Sequence, residues 1–98
     1  MLQRANALAP NDPSIADSLG WAYHLTGDSA GALPLLEAAA AKQPANAEIG
    51  EHLGDVYWSL GRRYEARYAW RAAALTADAG DAGRLAGKIA SGLPTKRR

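Results

Sequence analysis

The sequence has no cysteine, no phenylalanine and one methionine in 98 residues. Without cysteine there is no disulfide, no thiolate nucleophile and no thiolate metal ligand, and the redox compartment stays open. Nothing approaches the run of about 20 apolar residues that a membrane-spanning helix needs, and the opening MLQRANALAP lacks the apolar core of a signal peptide. An excess of one charge is missing too. Eleven Lys and Arg against ten Asp and Glu leave a net charge of +1, too little for strong non-specific attraction to nucleic acid or an anionic membrane. Few residues are β-branched, and abundant alanine points to helix throughout. A single domain of this size buries only about 60 to 65 per cent of its unfolded surface, so modest stability is expected.

What is present is a period. Shifting the sequence by 34 residues aligns Pro10 with Pro44, Ile15 with Ile49, Leu19-Gly20 with Leu53-Gly54, Tyr23 with Tyr57 and Gly27 with Gly61. The same shift aligns Ala32 with Ala66, Leu36 with Trp70 and Ala39 with Ala73. A fixed period of this length marks stacked helical repeats. Within one period, Leu53, Tyr57 and Leu60 share a helix face, Gly61 ends that helix, and Ala66, Trp70 and Ala73 face back from the next. Gly54, costly inside a helix, makes sense where another backbone must approach.

Capping signals agree. Asp12 before Pro13, Asp28 and Asn46 each stand where a helix begins. The spacing predicts helices at about 13–26, 29–42, 47–60 and 63–77, with Pro34 expected to kink the second helix or delay its start. Leu85, Ile89 and Leu93 recur at steps of four and predict a further helix over 81–91 that caps the apolar side of the last repeat.

This register resembles the tetratricopeptide repeat (TPR) family, whose motif carries Leu-Gly, Tyr, Gly, Ala, a large apolar residue, Ala and Pro at these spacings. Two full repeats match, 13–46 and 47–80. Ala16 and Gly50 stand where the family has its signature tryptophan, and Asp78 where it has the closing proline. Residues 1–12 fit the tail of an earlier repeat, with Leu2, Ala5 and Pro10 in phase, so the natural chain is expected to begin earlier. The segment 81–93 reads as the capping helix and 94–98 as a disordered tail. The resemblance implies an all-α fold of antiparallel helix-turn-helix units stacked as a right-handed solenoid. It is strongest to the C-terminal repeats of long bacterial TPR proteins, some of them envelope lipoproteins. That implies the periplasm or outer membrane, with the cytoplasm as the alternative.

The chemistry-bearing residues are few. His24 and His52 are the only histidines, with Asp17 two turns before the first and Glu48 and Asp55 flanking the second. No HExxH motif is present and the histidines lie on different helices, so no metal and no cofactor is expected. Ser18 and Ser59 have no motif that would place a base beside them, and the chain is not expected to be an enzyme. Arg63, Arg67 and Arg71 form a stripe that reads as a solvated face rather than a nucleic-acid contact, and Tyr64 and Tyr68 read as packing against the capping helix or a neighbour rather than as a base-stacking platform.

By resemblance, the first helix of each repeat lines a concave groove that takes a peptide or a partner helix. Ser14, Asp17, Trp21 and His24 hold that side in the first repeat, and Glu48, Glu51, His52, Asp55, Trp58 and Ser59 in the second. Carboxylates reject acidic tails and tryptophans offer desolvating, cation-attracting contact. The expected partner is a basic or mixed basic-apolar protein segment, anchored on Trp21 and Trp58. The alternative is a structural module that self-associates, weakly, through its open end near Leu2, Leu8, Ile15 and Leu19.

Overall fold

The computed structural model describes residues 12–94. The expectations for the 1–12 segment and the 94–98 tail, including the apolar contacts at Leu2 and Leu8, fall outside these residues apart from Asp12 and Pro94. Among the described residues the chain is all helical. Five helices follow one another: α1 Pro13–Leu25, α2 Ser29–Lys42, α3 Ala47–Ser59, α4 Arg63–Ala74 and α5 Ala79–Ser91. None is long and apolar enough to cross a membrane.

Local chemistry sets the boundaries. The Asp12 carboxylate accepts from the backbone N–H groups of Ser14 and Ile15 at 2.9 and 3.4 Å, with Pro13 in the first turn. Asp28 accepts from Gly31 N at 2.8 Å and Asn46 from Ile49 N at 3.2 Å. Each side chain satisfies a donor that the first helical turn leaves unpaired. Gly27 and Gly61, with φ of 96° and 81°, end α1 and α3 in the left-handed region that a side chain would resist.

Two boundaries differ from the sequence expectation. α4 stops at Ala74, and α5 starts at Ala79 because Asp78 caps it, accepting from Asp81 N at 2.8 Å. Pro34 sits inside a continuous α2. Pro34 and Ala30, whose carbonyl would have been its helical partner, are both exposed, so water can serve that carbonyl.

Each helix packs on the next in sequence, and α1 also touches α3. In the hairpin of α1 and α2, Ala32, Leu36 and Ala39 are buried; in that of α3 and α4, Ala66, Trp70 and Ala73 take their places. Gly20 and Gly54 admit this packing. A Cβ at Gly20 would lie 2.9 Å from Leu36 Cγ, and one at Gly54 would collide with the Trp70 indole. It is therefore an aromatic ring, not a backbone, that needs the space at Gly54. On α3 the fully buried apolar residues are Ile49 and Val56, while Leu60 lies at the exposed end of the helix. Leu85 joins the cluster of Ala66, Trp70 and Ala73, with Ile89 and Leu93 packed beside it.

Candidate functional site

The contact of α1 with α3 brings together the side chains expected to share a groove. The Asp17 carboxylate on α1 lies 2.9 Å from His52 Nδ1 on α3. Both side chains are mostly covered, at 13 and 18 per cent exposure. The Trp21 ring stacks on His52 with centroids 4.0 Å apart and planes 18° from parallel, and lies 4.8 Å from the His24 ring. His24 Nδ1 pairs with Ser29 Oγ at 2.9 Å. Burial holds its imidazole below the ordinary pKa, with Asp55 pulling it up and His52 pushing it down. Glu48, exposed and one turn before His52, completes a group in which one donor atom each from Asp17, Glu48 and His52 all lie within 4.8 Å of one another. The sequence shows these donors only as scattered acids and two distant histidines. The return of the chain through α2, which lays α3 against α1, is what closes the distance.

Of the remaining groove candidates, Ser14 and Ser59 are exposed, Trp58 is half-buried, and Glu51 and Asp55 are closed. Glu51 and Asp55 are each 8 per cent exposed because α5 lies over them. Arg84 grips Glu51 with two bonds, Nε to Oε2 at 2.8 Å and Nη2 to Oε1 at 2.7 Å. Lys88 Nζ bridges Glu51 Oε2 at 2.6 Å and Asp55 Oδ1 at 2.9 Å. Asp55 also accepts the buried Trp70 indole N–H at 3.1 Å. The Arg84 bond, ahead of the contribution of Lys88, outweighs burial and draws the Glu51 carboxyl down to about 2. These two acids therefore fasten α5 and the core tryptophan instead of facing a ligand.

Trp58 is likewise taken up within the chain. Its ring lies 5.6 Å from that of Trp70, packs with Ile89 and Leu93, and has Gly92 so close that a Cβ there would collide with it. The Arg63 and Arg67 guanidiniums stand 4.6 and 5.1 Å from its centroid. Arg67 also donates from Nε to the Ile89 carbonyl at 2.9 Å, at the end of α5 where the helix dipole favours a cation. The arginine stripe is thus divided: Arg63 and Arg67 cover Trp58, and Arg71 is exposed.

Tyr64 and Tyr68 do not pack against α5. They are 81 and 70 per cent exposed, and with Leu75, 86 per cent exposed, they form one stripe along α4. Both tyrosines edge an apolar groove of about 450 Å³ between α2, α3 and α4, floored by Gly50, Ala69 and Ala73. At its margin the Tyr57 hydroxyl donates to Glu37 Oε2 at 2.6 Å, and burial together with that carboxylate pushes the phenol up to about 12. A signal for this surface was in the repeat itself. The first repeat has Ala30, Pro34 and Ala41 at the corresponding places, so the fold does not require large residues there.

On the α1 and α3 face Trp21 and His24 are half-buried and Glu48 is exposed, with the mostly covered Asp17 and His52 pair beside Trp21. This is an aromatic surface edged by carboxylates, and Glu48 has no ion-pair or hydrogen-bond partner among the described residues. The chain matches no protein-family model and no curated protein.

Proposed function

We propose that this chain is a protein-interaction module without chemistry of its own, built of TPR-type units stacked as a right-handed solenoid. It holds a basic or mixed basic-apolar segment of a partner on the face shared by α1 and α3. The 34-residue register and the pairing of helices in sequence support the architecture. One observation supports the binding reading above the others: Trp21 stacks on His52 from the neighbouring helix pair, beside Asp17 and Glu48, which no Lys or Arg neutralises among the described residues. A peptide cation finds there an aromatic surface and the exposed Glu48 carboxylate, with Asp17 held by His52 beside it. Glu51 and Asp55 are covered by α5, and the half-buried Trp58 already carries Arg63 and Arg67 against its ring, so the anchor is Trp21.

Peptide-array capture by wild type and Trp21→Ala, both checked for folding by circular dichroism, tests this. Wild type is expected to select basic peptides, and the variant to bind them weaker by about 2 kcal/mol, roughly thirtyfold. Equal capture by the two proteins, or a preference for acidic peptides, would overturn the proposal.

Self-association is the second reading, and the exposed stripe of Tyr64, Tyr68 and Leu75 favours it. The expected open end contributes less, since Leu19 is buried. Sedimentation equilibrium over a range of concentrations should show reversible dimerisation that Tyr64→Ser with Tyr68→Ser abolishes. A monomer at every concentration would remove this reading.

A further inference from the structure

Four carboxylates lie on the α1 and α3 face, and the chain treats them in two ways. Glu51 and Asp55 receive Arg84 and Lys88. Asp17 and Glu48 receive no Lys or Arg among the described residues; their shared neighbour is the imidazole of His52. Glu48 and His52 stand one turn apart on α3, and Asp17 comes from α1, 35 residues before His52. Two acidic oxygens and one imidazole nitrogen therefore converge from two helices where no Lys or Arg among the described residues supplies a positive charge.

We propose that Asp17, Glu48 and His52 bind a divalent transition-metal ion of borderline softness, of which zinc is the type. Mixed imidazole and carboxylate donors suit that class better than calcium or magnesium, which prefer oxygen alone. Little movement is needed. Two ligands of a tetrahedral ion with bonds of about 2.1 Å are about 3.4 Å apart, and His52 Nδ1 and Asp17 Oδ1, hydrogen-bonded at 2.9 Å without the ion, need part only slightly. Glu48, exposed and without a bonding partner among the described residues, can move inward to complete the set, all three donor atoms already lying within 4.8 Å.

The ring is held for this role by Trp21, which stacks on it nearly parallel. Fixing a ligand's orientation before the ion arrives lowers what ordering costs on binding. When the ion takes Nδ1, the proton on that nitrogen leaves to water and Nε2 takes one from water. The imidazole stays neutral, so the exchange adds no net proton. With three protein ligands, a coordination position is left for water or for a side chain of another molecule. The ion would also join α1 to α3. It competes with a peptide cation for the same two carboxylates, but the inference does not rest on peptide binding.

The test uses the untagged, chelator-treated chain and zinc chloride alone. Isothermal titration calorimetry should show one saturable site per chain. Asp17→Asn, Glu48→Gln and His52→Gln should each weaken binding by at least about tenfold, while Glu65→Gln, on α4, should leave it unchanged. Cobalt(II) in place of zinc should give a visible absorption spectrum that His52→Gln removes. Glu48→Gln alters an exposed side chain and should fold even if the other two variants do not. Absence of a saturable site, or zinc binding unaffected by Glu48→Gln and by whichever of the other variants folds, would overturn the proposal.

Discussion

Trp70→Ala is expected to destabilise the chain by about 3 to 5 kcal/mol, the range for a large aromatic removed from a packed core. Trp70 has no exposed surface and lies in one cluster with Ala66, Ala73 and Leu85, so the lost ring empties the junction of α3, α4 and α5. The same substitution strips Asp55 of its indole donor while leaving its carboxylate buried. Small domains have only about 5 to 15 kcal/mol of stability, and this loss should bring much of the chain to the unfolded state. Trp70→Phe separates the two causes, since it keeps most of the bulk and removes the hydrogen bond. It should cost about 1 to 3 kcal/mol. Gly54→Leu approaches the contact from the other side, and overpacking against the indole should cost about 1 to 3 kcal/mol. Urea denaturation followed by circular dichroism measures all three, and full stability of Trp70→Ala would refute this core.

Lys88→Ala should cost about 2 to 3 kcal/mol, somewhat below the range for breaking a fully buried pair, because Lys88 keeps some exposure and Arg84 remains on Glu51. The effect should be largest near neutral pH and shrink in acid. Glu51 titrates at about 2 in the folded chain against an ordinary 4.5. Between those values the unfolded chain binds the proton that the folded chain refuses, so the stability from Glu51 is whole above about pH 5 and drains away toward pH 2. His24 adds an earlier and smaller decline. Its pKa is lowered in the fold, so the unfolded chain takes a proton first as pH falls through about 6.5. Denaturation midpoints of wild type and Lys88→Ala measured from pH 7 to 3 should therefore converge toward acid. A constant gap between the two would show that Lys88 acts by packing and not by charge.

The sequence made the interior legible because a repeat states its core twice. Ala32, Leu36 and Ala39 align with Ala66, Trp70 and Ala73, and all six are buried. Capping residues were equally readable at Asp12, Asp28 and Asn46, where a side chain and a backbone donor lie two or three residues apart. The candidate site was read less well, because its charges are settled by an element far away in the chain. Glu51 and Arg84 are 33 residues apart, and helical spacing on α3 alone cannot show that α5 will neutralise its acids. Arg84 and Lys88 do stand one turn apart beside Leu85 and Ile89, a basic edge along an apolar stripe, and that was the available signal. Asp78 shows the same limit on a smaller scale. The sequence expectation began the last helix at 81 and named no cap for it, yet Asp78 caps α5.

On the proposed reading a ligand meets Trp21, while Trp70 is fully buried and Trp58 is half-buried against Trp70, Ile89 and Leu93. Nitrogen-labelled protein has three tryptophan indole N–H groups, at Trp21, Trp58 and Trp70, that a two-dimensional NMR spectrum can follow separately. The most direct measurement is to titrate in a basic peptide selected on the array and watch these three signals. The Trp21 indole is expected to shift in a saturable way while the Trp70 indole, bonded to Asp55, stays in place. A saturable shift confined to Trp58 or Trp70, or binding that leaves the Trp21 signal unmoved, would contradict it.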